Sequence, residues 1–378
     1  MKNDKTPAIR FKGFTEAWEQ RKLHQISLLS KGEQLGKNAM SSTGPYYVLN
    51  GGKEPSGYTN NYNTEANTIS ISEGGNSCGY VNYNTEKYWS GGHNYTLTSL
   101  KLNNSYLFSY LKFKENQIMS MRVGSGLPNI QKSSLNELPI SYPLSEEQKL
   151  IGNFFNHLDT LITLHQRKCD VLMNIKKSLF EKMFPTNGDD KPRIRFKGFT
   201  EAWEQRKITE LGKIFIGLVT TMTAHYTEEG ALLIRNSDIK DCRFEFNENK
   251  IFLEKSFASA YESRMHQIGD VITVHTGDVG TSAVISENEY KSIGFATIVT
   301  RPYKNVISSN YLCTFLNTEK HKRWAVAIST GDGRTNYNLG DYYELIVPVP
   351  SIEEQKKIAK IISNLNSLIT LHQRKEKS

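Results

Sequence analysis

No apolar run in this 378-residue chain approaches the roughly eighteen residues a membrane span needs. The N-terminus, MKNDKTPAIRFKG, has no apolar segment of the secretory kind, so a cytoplasmic location and no membrane partner are expected. The four cysteines, Cys78, Cys169, Cys242 and Cys313, are scattered and never in CxxC spacing, which argues against a zinc knuckle or a disulfide framework. No Pro-Pro pair occurs, so the Asn/Asp-Pro-Pro-aromatic motif of an adenine methyltransferase is missing. The nearest approach to a P-loop, Gly32-Glu33-Gln34-Leu35-Gly36-Lys37-Asn38, has three residues between its glycines and ends in Asn. No HExxH is present. His165 and Cys169 lie four apart without a second pair, which reads as helix packing. Asp270, Asp278 and Glu287 lack the neighbouring lysine of a nuclease site and read as turn or solvated residues. No catalytic and no metal site is therefore expected.

What the chain does have is repetition. Residues 10–22 read RFKGFTEAWEQRK, and residues 195–207 repeat all thirteen letters 185 positions later. Residues 146–168, EEQKLIGNFFNHLDTLITLHQRK, return at 353–375 as EEQKKIAKIISNLNSLITLHQRK, 207 positions later. A period of domain size is a tandem duplication and not a solenoid. Each half is a lead-in segment, a variable body and a long amphipathic helix. The expected divisions are a first domain at 1–143, a long helix at 144–184, a linker at 185–194, a second domain at 195–349 and a shorter second helix at 350–378.

Within each lead-in, Thr15–Glu19 reads as a capped helical turn, and Trp18 and Trp203 as anchors into a core. The first body alternates short strand-like pieces (46–49, 68–71, 80–81, 95–98) with Gly/Asn turns, then a helix near 104–119. Ten of the nineteen tyrosines fall between positions 46 and 110. Half-buried packing is the plainer account of them, and a polar, aromatic DNA-facing surface the sharper one. The second body offers strands near 213–216, 232–235, 271–274, 283–285 and 296–300, and a helix at 310–328. Gly331-Asp332-Gly333-Arg334 then stands where Gly124-Ser125-Gly126 stands in the first half. The predicted class is α+β, two mixed α/β domains and two long helices that pack against each other as a coiled coil.

The first long helix, capped by Ser145, carries an apolar seam through Phe154, Leu158, Leu161 and Leu172, interrupted at His165 and Lys168. The second repeats it through Ile361, Leu365 and Leu368. About 38 residues at 1.5 Å each give roughly 57 Å. These seams are the expected coiled-coil residues. Net charge is +8 and the pI about 9.0, compatible with nucleic acid. Arg122 and Arg334 flank the glycine-rich loops, where arginine beside backbone N–H groups suits phosphate or guanine. The candidate DNA-binding residues are Asn50, Lys53, Arg122, Ser125 and Gly126 in the first body. In the second they are Arg235, Asn236, His275, Thr276 and Arg334.

The order lead-in, variable body, helix, repeated once, resembles the DNA-sequence specificity subunit of type I restriction–modification systems over essentially the whole chain. The repeated RFKGFTEAWEQRK and EEQ…LITLHQRK blocks carry the resemblance. It implies two target-recognition domains, each reading half of a split double-stranded DNA site, separated by two long helices packing as an antiparallel coiled coil that fixes the unspecified gap, with the seam residues named above also binding partner subunits. A site of about 13–14 base pairs spans roughly 45 Å, within reach of such a helix. It further implies a non-catalytic subunit, without cofactors of its own, in a complex serving N6-adenine methylation and host defence. Two modification (methyltransferase) subunits would supply S-adenosylmethionine chemistry, and restriction (endonuclease/translocase) subunits would bring ATP and Mg. The second helix has no counterpart of residues 172–184, which bears on how firmly the second modification subunit docks. Two other readings stay open: an adaptor whose variable bodies bind proteins, and a DNA enzyme with an unrecognised site.

Overall fold

The computed structural model describes residues 7–124, 126, 128–186, 189–246, 250–329 and 336–377, with residues 374–377 described by backbone alone. The chain forms two compact units, Met1–Leu164 and His165–Ser378. The boundary falls inside the long helix.

The N-terminal unit holds strands β1 (Glu19–Lys22), β2 (Leu28–Lys31), β3 (Tyr46–Leu49), β4 (Gly57–Thr59), β5 (Thr68–Ser72), β6 (Val81–Asn84), β7 (Trp89–Ser90), β8 (Asn94–Thr98) and β9 (Pro139–Tyr142). Its helices are α1 (Leu23–Ile26), α2 (Asn104–Phe113), α3 (Glu115–Ser120), α4 (Lys132–Asn136) and the start of α5 (Ser145–Lys182). One sheet runs β2-β8-β5-β6, a second β4-β3-β7, and β1 pairs with β9. The middle strand β5 alternates as strands must. Ile69 and Ile71 enter the core with Leu97, Leu107, Leu111 and Ile118. Ser70 and Ser72 face the other way, also buried, and are hydrogen-bonded there: Asn84 Nδ2 donates to Ser70 Oγ at 3.0 Å. A strand buried on both faces tolerates serine only where such partners exist.

The C-terminal unit repeats this plan. Its strands are β10 (Glu204–Lys207), β11 (Gly212–Ile216), β12 (Tyr226–Thr227), β13 (Ala231–Ile234), β14 (Ile239–Lys240), β15 (Arg243–Phe244), β16 (Phe252–Leu253), β17 (Val271–Thr273), β18 (Ser282–Val284), β19 (Ile293–Gly294), β20 (Ile298–Pro302) and β21 (Ile346–Val349). The helices are α6 (Lys255–Ser259), α7 (Ser309–Leu316), α8 (Glu319–Ile328), α9 (Leu339–Tyr343) and α10 (Ile352–Lys377). Sheet β11-β20-β17-β18 matches β2-β8-β5-β6, and the parallel pair β13/β19 matches β3/β7. The extra hairpin β14-β15 belongs to the longer second body.

The repeated letters make the same joint in both units. Arg10 forms a double ion pair with Glu147 (2.9 and 2.6 Å), and Arg195 does so with Glu354 (2.8 and 2.8 Å). Gln148 accepts from Asn103 N and donates to Pro143 O, while Gln355 accepts from Ser308 N and donates to Pro350 O. Trp18 meets Tyr106 edge-on at 6.0 Å, and Trp203 meets Tyr311 at 6.2 Å. Trp203 therefore anchors into the core as expected, whereas Trp18 stays half-buried and makes the edge contact alone.

Several local expectations change. No helical turn forms at Thr15–Glu19. Glu19 instead opens β1, because its backbone pairs with Tyr142 across the last strand before α5. The helix near 104–119 divides at Lys114 (ψ 0°), and that at 310–328 divides at Asn317–Thr318, where Thr318 caps α8 by accepting from His321 N. Ser145 is the first residue of α5 and not its cap, since Gln148 N bonds to Leu144 O. The tyrosine cluster is mainly packing: Tyr88, Tyr95 and Tyr106 are buried.

Within the C-terminal unit, α5 and α10 run antiparallel. His165 Nδ1 lies 2.8 Å from His372 Nδ1, and Cys169 Sγ lies 3.8 Å from Ile369 O. The two histidines are repeat equivalents, so the helices meet at a local two-fold, and His165 is a seam residue. Ile361 and Leu365 pack on the main core, whereas Leu172 is only half-buried. Leu368 stays 44% exposed. The first part of the seam differs from expectation: Phe154, Leu158 and Leu161 are 49, 38 and 51% exposed, so packing within their unit does not bury them.

Candidate nucleic-acid interface

In the N-terminal unit four loops converge at one end of the β2-β8-β5-β6 sheet. Where β5 ends, Ser72 Oγ donates to Gly51 O at 2.5 Å, Glu73 N donates to His93 O at 2.9 Å and Gly75 N to Pro128 O at 3.0 Å. Asn50 Oδ1 accepts from His93 N at 3.1 Å. Gly51 must be glycine here. Its φ is +80°, and a Cβ would come within 2.7 Å of His93 O. Gly74 bridges to Asn129, which ties the glycine-rich loop after α3 to the loop after β5.

Cations surround this meeting point. Lys53 Nζ and Lys112 Nζ lie 5.0 and 4.1 Å from the centre of the same Tyr80 ring. Arg122 is exposed, and its Nε donates to Met119 O at 2.7 Å. The acid among them, Glu73, is buried: it accepts from Lys31 at 2.7 Å and from Tyr95 at 2.9 Å. Burial pushes its carboxyl up, but the Lys31 and Tyr95 hydrogen bonds outweigh that and hold it below the usual carboxylate range. Gly126 is exposed with open space around it, and Ser125 lies outside the described residues.

The C-terminal unit builds the corresponding place from different residues. Asn236 Oδ1 accepts from His275 N at 2.9 Å, and its Nδ2 donates to Phe295 O and Ala296 O. Thr276 Oγ1 lies 3.1 Å from His275 Nδ1 and donates to Asn336 Oδ1 at 3.0 Å. Thr276 also bridges to Asn336 as Gly74 does to Asn129. Asn236, His275 and Thr276 are thus one hydrogen-bonded group. Arg235 is committed elsewhere, to a bidentate pair with the buried Asp238 (3.0 and 2.8 Å). That hydrogen-bonded pair raises its pKa further. Arg334 lies outside the described residues.

Sequence reading missed Glu73, His93, Tyr80, Asn129 and Asn336. The asparagines carry a usable signal: each follows a glycine-rich loop and shortly precedes a short helix, α4 or α9. The acids considered for nuclease chemistry have structural partners. Asp270 closes the turn from Gln267, its N donating to Gln267 O at 2.9 Å, and it is buried and paired with Arg301 at 2.8 Å, while Asp278 accepts from Thr281 at 2.7 Å. Among the described residues, no group of three or more His, Cys, Asp or Glu is placed to hold a metal ion, and no helix is long and apolar enough to cross a membrane. What both sites present is amides, hydroxyls and backbone groups on loops held by a rigid sheet. Such surfaces hydrogen-bond phosphates and base edges.

Comparison with known proteins agrees with this frame. The family profile described as "Type I restriction modification DNA specificity domain" matches residues 15–174 and again 200–378. A chain from Mycoplasma pneumoniae, named as a type I specificity subunit, is 30% identical over 234 residues, covering 61% of this chain and 58% of that one. One from Mycoplasma genitalium is 31% identical over 171 residues, 44% of each chain. The specificity subunit of the type I restriction enzyme MjaVIII of Methanocaldococcus jannaschii is 25% identical over 281 residues, 72% of this chain and 65% of that one. The aligned part is thus less than two thirds of each relative's own length. The crystal structure of the type I restriction–modification S subunit from M. genitalium superposes with TM-score 0.72 at 21% identity, over 98% of this chain and 95% of that one. That likeness is one of fold. With the profile matching in both halves, the chain belongs to the type I restriction–modification DNA specificity family.

Proposed function

We propose that this chain reads a bipartite double-stranded DNA target, one half through each unit, and brings methyltransferase and restriction subunits to that target without chemistry of its own. The observation that carries the reading is the contrast within the duplication. Joint and sheet are the same in both units, while the loops at the corresponding sheet end differ: Asn50, Lys53, Gly74 and Arg122 in one, Asn236, His275 and Thr276 in the other. Two unlike readers on one frame suit two unlike half-sites, as half-site spacing suits symmetric dimers. In the N-terminal unit the cations beside Tyr80 and Arg122 would hold phosphates, and the asparagine and backbone groups would meet base edges. In the C-terminal unit His275 and Thr276 would make the base contacts, with Asn236 holding their loop. The repeated helices would set the unspecified gap and receive the modification subunits. S-adenosylmethionine, ATP and Mg would be bound by those partners.

The test is methylation mapping by long-read sequencing, with this chain expressed beside its modification subunit. A split motif with N6-methyladenine on each strand is expected. A motif defined in only one half would remove the reading function from one unit. Sequence-specific methylation or cleavage by the purified chain alone would refute the non-catalytic assignment.

A further inference from the structure

Two of the four cysteines meet in the C-terminal unit. Cys242 sits at the turn of the β14-β15 hairpin, and Cys313 lies on α7 in the core. Asn317 Nδ2 lies 3.3 Å from Cys242 Sγ and 3.5 Å from Cys313 Sγ, so one amide touches both sulfurs. Ser282 O of β18 holds both residues as well: Cys242 N donates to it at 3.0 Å and Cys313 Sγ at 3.3 Å. Cys78 and Cys169 are placed otherwise, facing the Glu73 and Ile369 carbonyls. The pair is particular to this unit. In the register that matches Tyr311 with Tyr106, Cys313 stands where the N-terminal unit has Phe108, and Asn317 where it has Lys112. The hairpin that carries Cys242 belongs to the longer second body.

The pair can be reached by a small solute. A cavity of about 590 Å³ opens beside it, walled by Cys242, Cys313, Ser286, Asn310 and, from α10, Asn366 and Thr370. Cys242 is half-buried, whereas Cys313 is 2% exposed. Hydrogen bonding with Cys242, then burial, holds the Cys313 thiol well above its ordinary value. Access and thiolate character decide which cysteine attacks, so Cys242 reacts first. The turn that carries it is held by non-covalent contacts: besides the Ser282 bond, Asp241 pairs with Lys176 of α5 at 2.5 Å.

We propose that Cys242 and Cys313 form a redox-sensitive dithiol, which a small-molecule disulfide converts to a protein disulfide that staples the hairpin turn to α7. Cys242, having lost its proton to solvent, attacks one sulfur of the small disulfide. A mixed disulfide forms and one small thiolate leaves, to be protonated. Cys313 then gives its proton to solvent and attacks the Cys242 sulfur. The Cys242–Cys313 bond forms, and the second small thiolate leaves and is protonated. Two protein thiols are oxidised, and one small disulfide is reduced to two thiols. The Asn317 amide turns aside as the sulfurs close to the ~2.05 Å of a disulfide. The bridge closes a loop of about 70 residues, which removes freedom from the unfolded chain. The proposal does not depend on DNA reading.

The probe is oxidised glutathione, added to the reduced full chain, followed by denaturation in N-ethylmaleimide and peptide mapping by mass spectrometry. A linked Cys242–Cys313 peptide is expected, with Cys78 and Cys169 alkylated. The melting midpoint of the C-terminal unit should rise by roughly 10 °C and return on adding dithiothreitol. Cys242→Ala leaves Cys313 in its core place and should abolish both the linked peptide and the rise. Cys313→Ser should leave glutathione on Cys242, a mixed disulfide that the unaltered chain resolves. The proposal is overturned if the unaltered chain does not react or keeps glutathione on Cys242. A link from either cysteine to Cys78 or Cys169, or a Cys242–Cys313 bridge without a rise in midpoint, overturns it equally.

Discussion

The two units share a joint almost bond for bond, yet their cores are closed differently. In the C-terminal unit Trp203 is covered by Phe184 and Phe180, and the cluster runs on through Tyr311, Phe315 and Ile358. In the N-terminal unit the matching Trp18 is only half-buried, and Phe154 and Phe155 face outward. Identical letters therefore do not guarantee identical burial. A residue's environment depends on what packs over it, and that comes from elsewhere in the chain. The buried histidines add a second contrast. His266 and His321 are 0 and 1% exposed in the C-terminal unit, whereas His24 and His93 of the other unit are exposed.

The sharpest way to break this comparison is to remove the ring that covers Trp203. Phe184→Ala should destabilise the C-terminal unit by about 3–5 kcal/mol, the cost of a large core truncation. Phe155→Ala, at a residue 44% exposed in the N-terminal unit, should stay within about 1 kcal/mol. Urea unfolding with a probe in each unit measures both, and equal effects would erase the distinction.

Acid should separate the units nearly as strongly. Burial, aided by the Arg301 charge, pushes His266 down to about 3. Burial also pushes His321 down to about 4, against the pull of the Leu316 carbonyl. Both stay neutral when folded, while the unfolded chain takes up protons below about pH 6.5. Stability is therefore intact above about 6.5 and falls as pH drops toward 4, by about 1.4 kcal/mol per pH unit per histidine. By pH 5 the pair removes about 4 kcal/mol from the C-terminal unit. Calorimetry at pH 7 and pH 5 should show that transition moving down further than the N-terminal one.

Two arginine changes compare the reading surfaces. Arg122→Ala should weaken DNA binding by about 1–3 kcal/mol through one half-site only. Equal loss on DNAs altered in either half would end that role. Arg235→Ala, by contrast, leaves the buried Asp238 unpaired, so it should lower the thermal midpoint of the C-terminal unit without half-site discrimination. The smallest effect belongs to Lys53→Ala. A lost phosphate contact reduces the salt slope of binding by about one unit, uniformly across target sequences.

The legible parts of the fold were those with local patterns. Tyr46–Leu49 and Thr68–Ser72 are aromatic or β-branched runs between Gly/Asn turns, and both are strands. Glu19–Lys22 and Glu204–Lys207 were not legible as strands. EQRK has no alternation, and its residues stay largely exposed. They are strands because a partner strand more than a hundred positions away supplies the hydrogen bonds. The candidate residues divide the same way. Asn236, His275 and Thr276 do meet in space, but Arg235, a ready cation on paper, is held by Asp238.

What the amino-acid order determined by itself is the duplication, the long helices and the joint that both units repeat. Those features rest on local periodicity and on identical letters, which make identical short-range and joint contacts. Only the tertiary structure decided which loops meet, which charges are already paired and which of the two repeated tryptophans is fully covered. These depend on contacts such as Asn50 with His93, Thr276 with Asn336 and Phe184 with Tyr311, whose partners lie far apart along the chain. Burial and hydrogen-bond satisfaction are properties of the packed neighbourhood, and a linear pattern does not carry that neighbourhood.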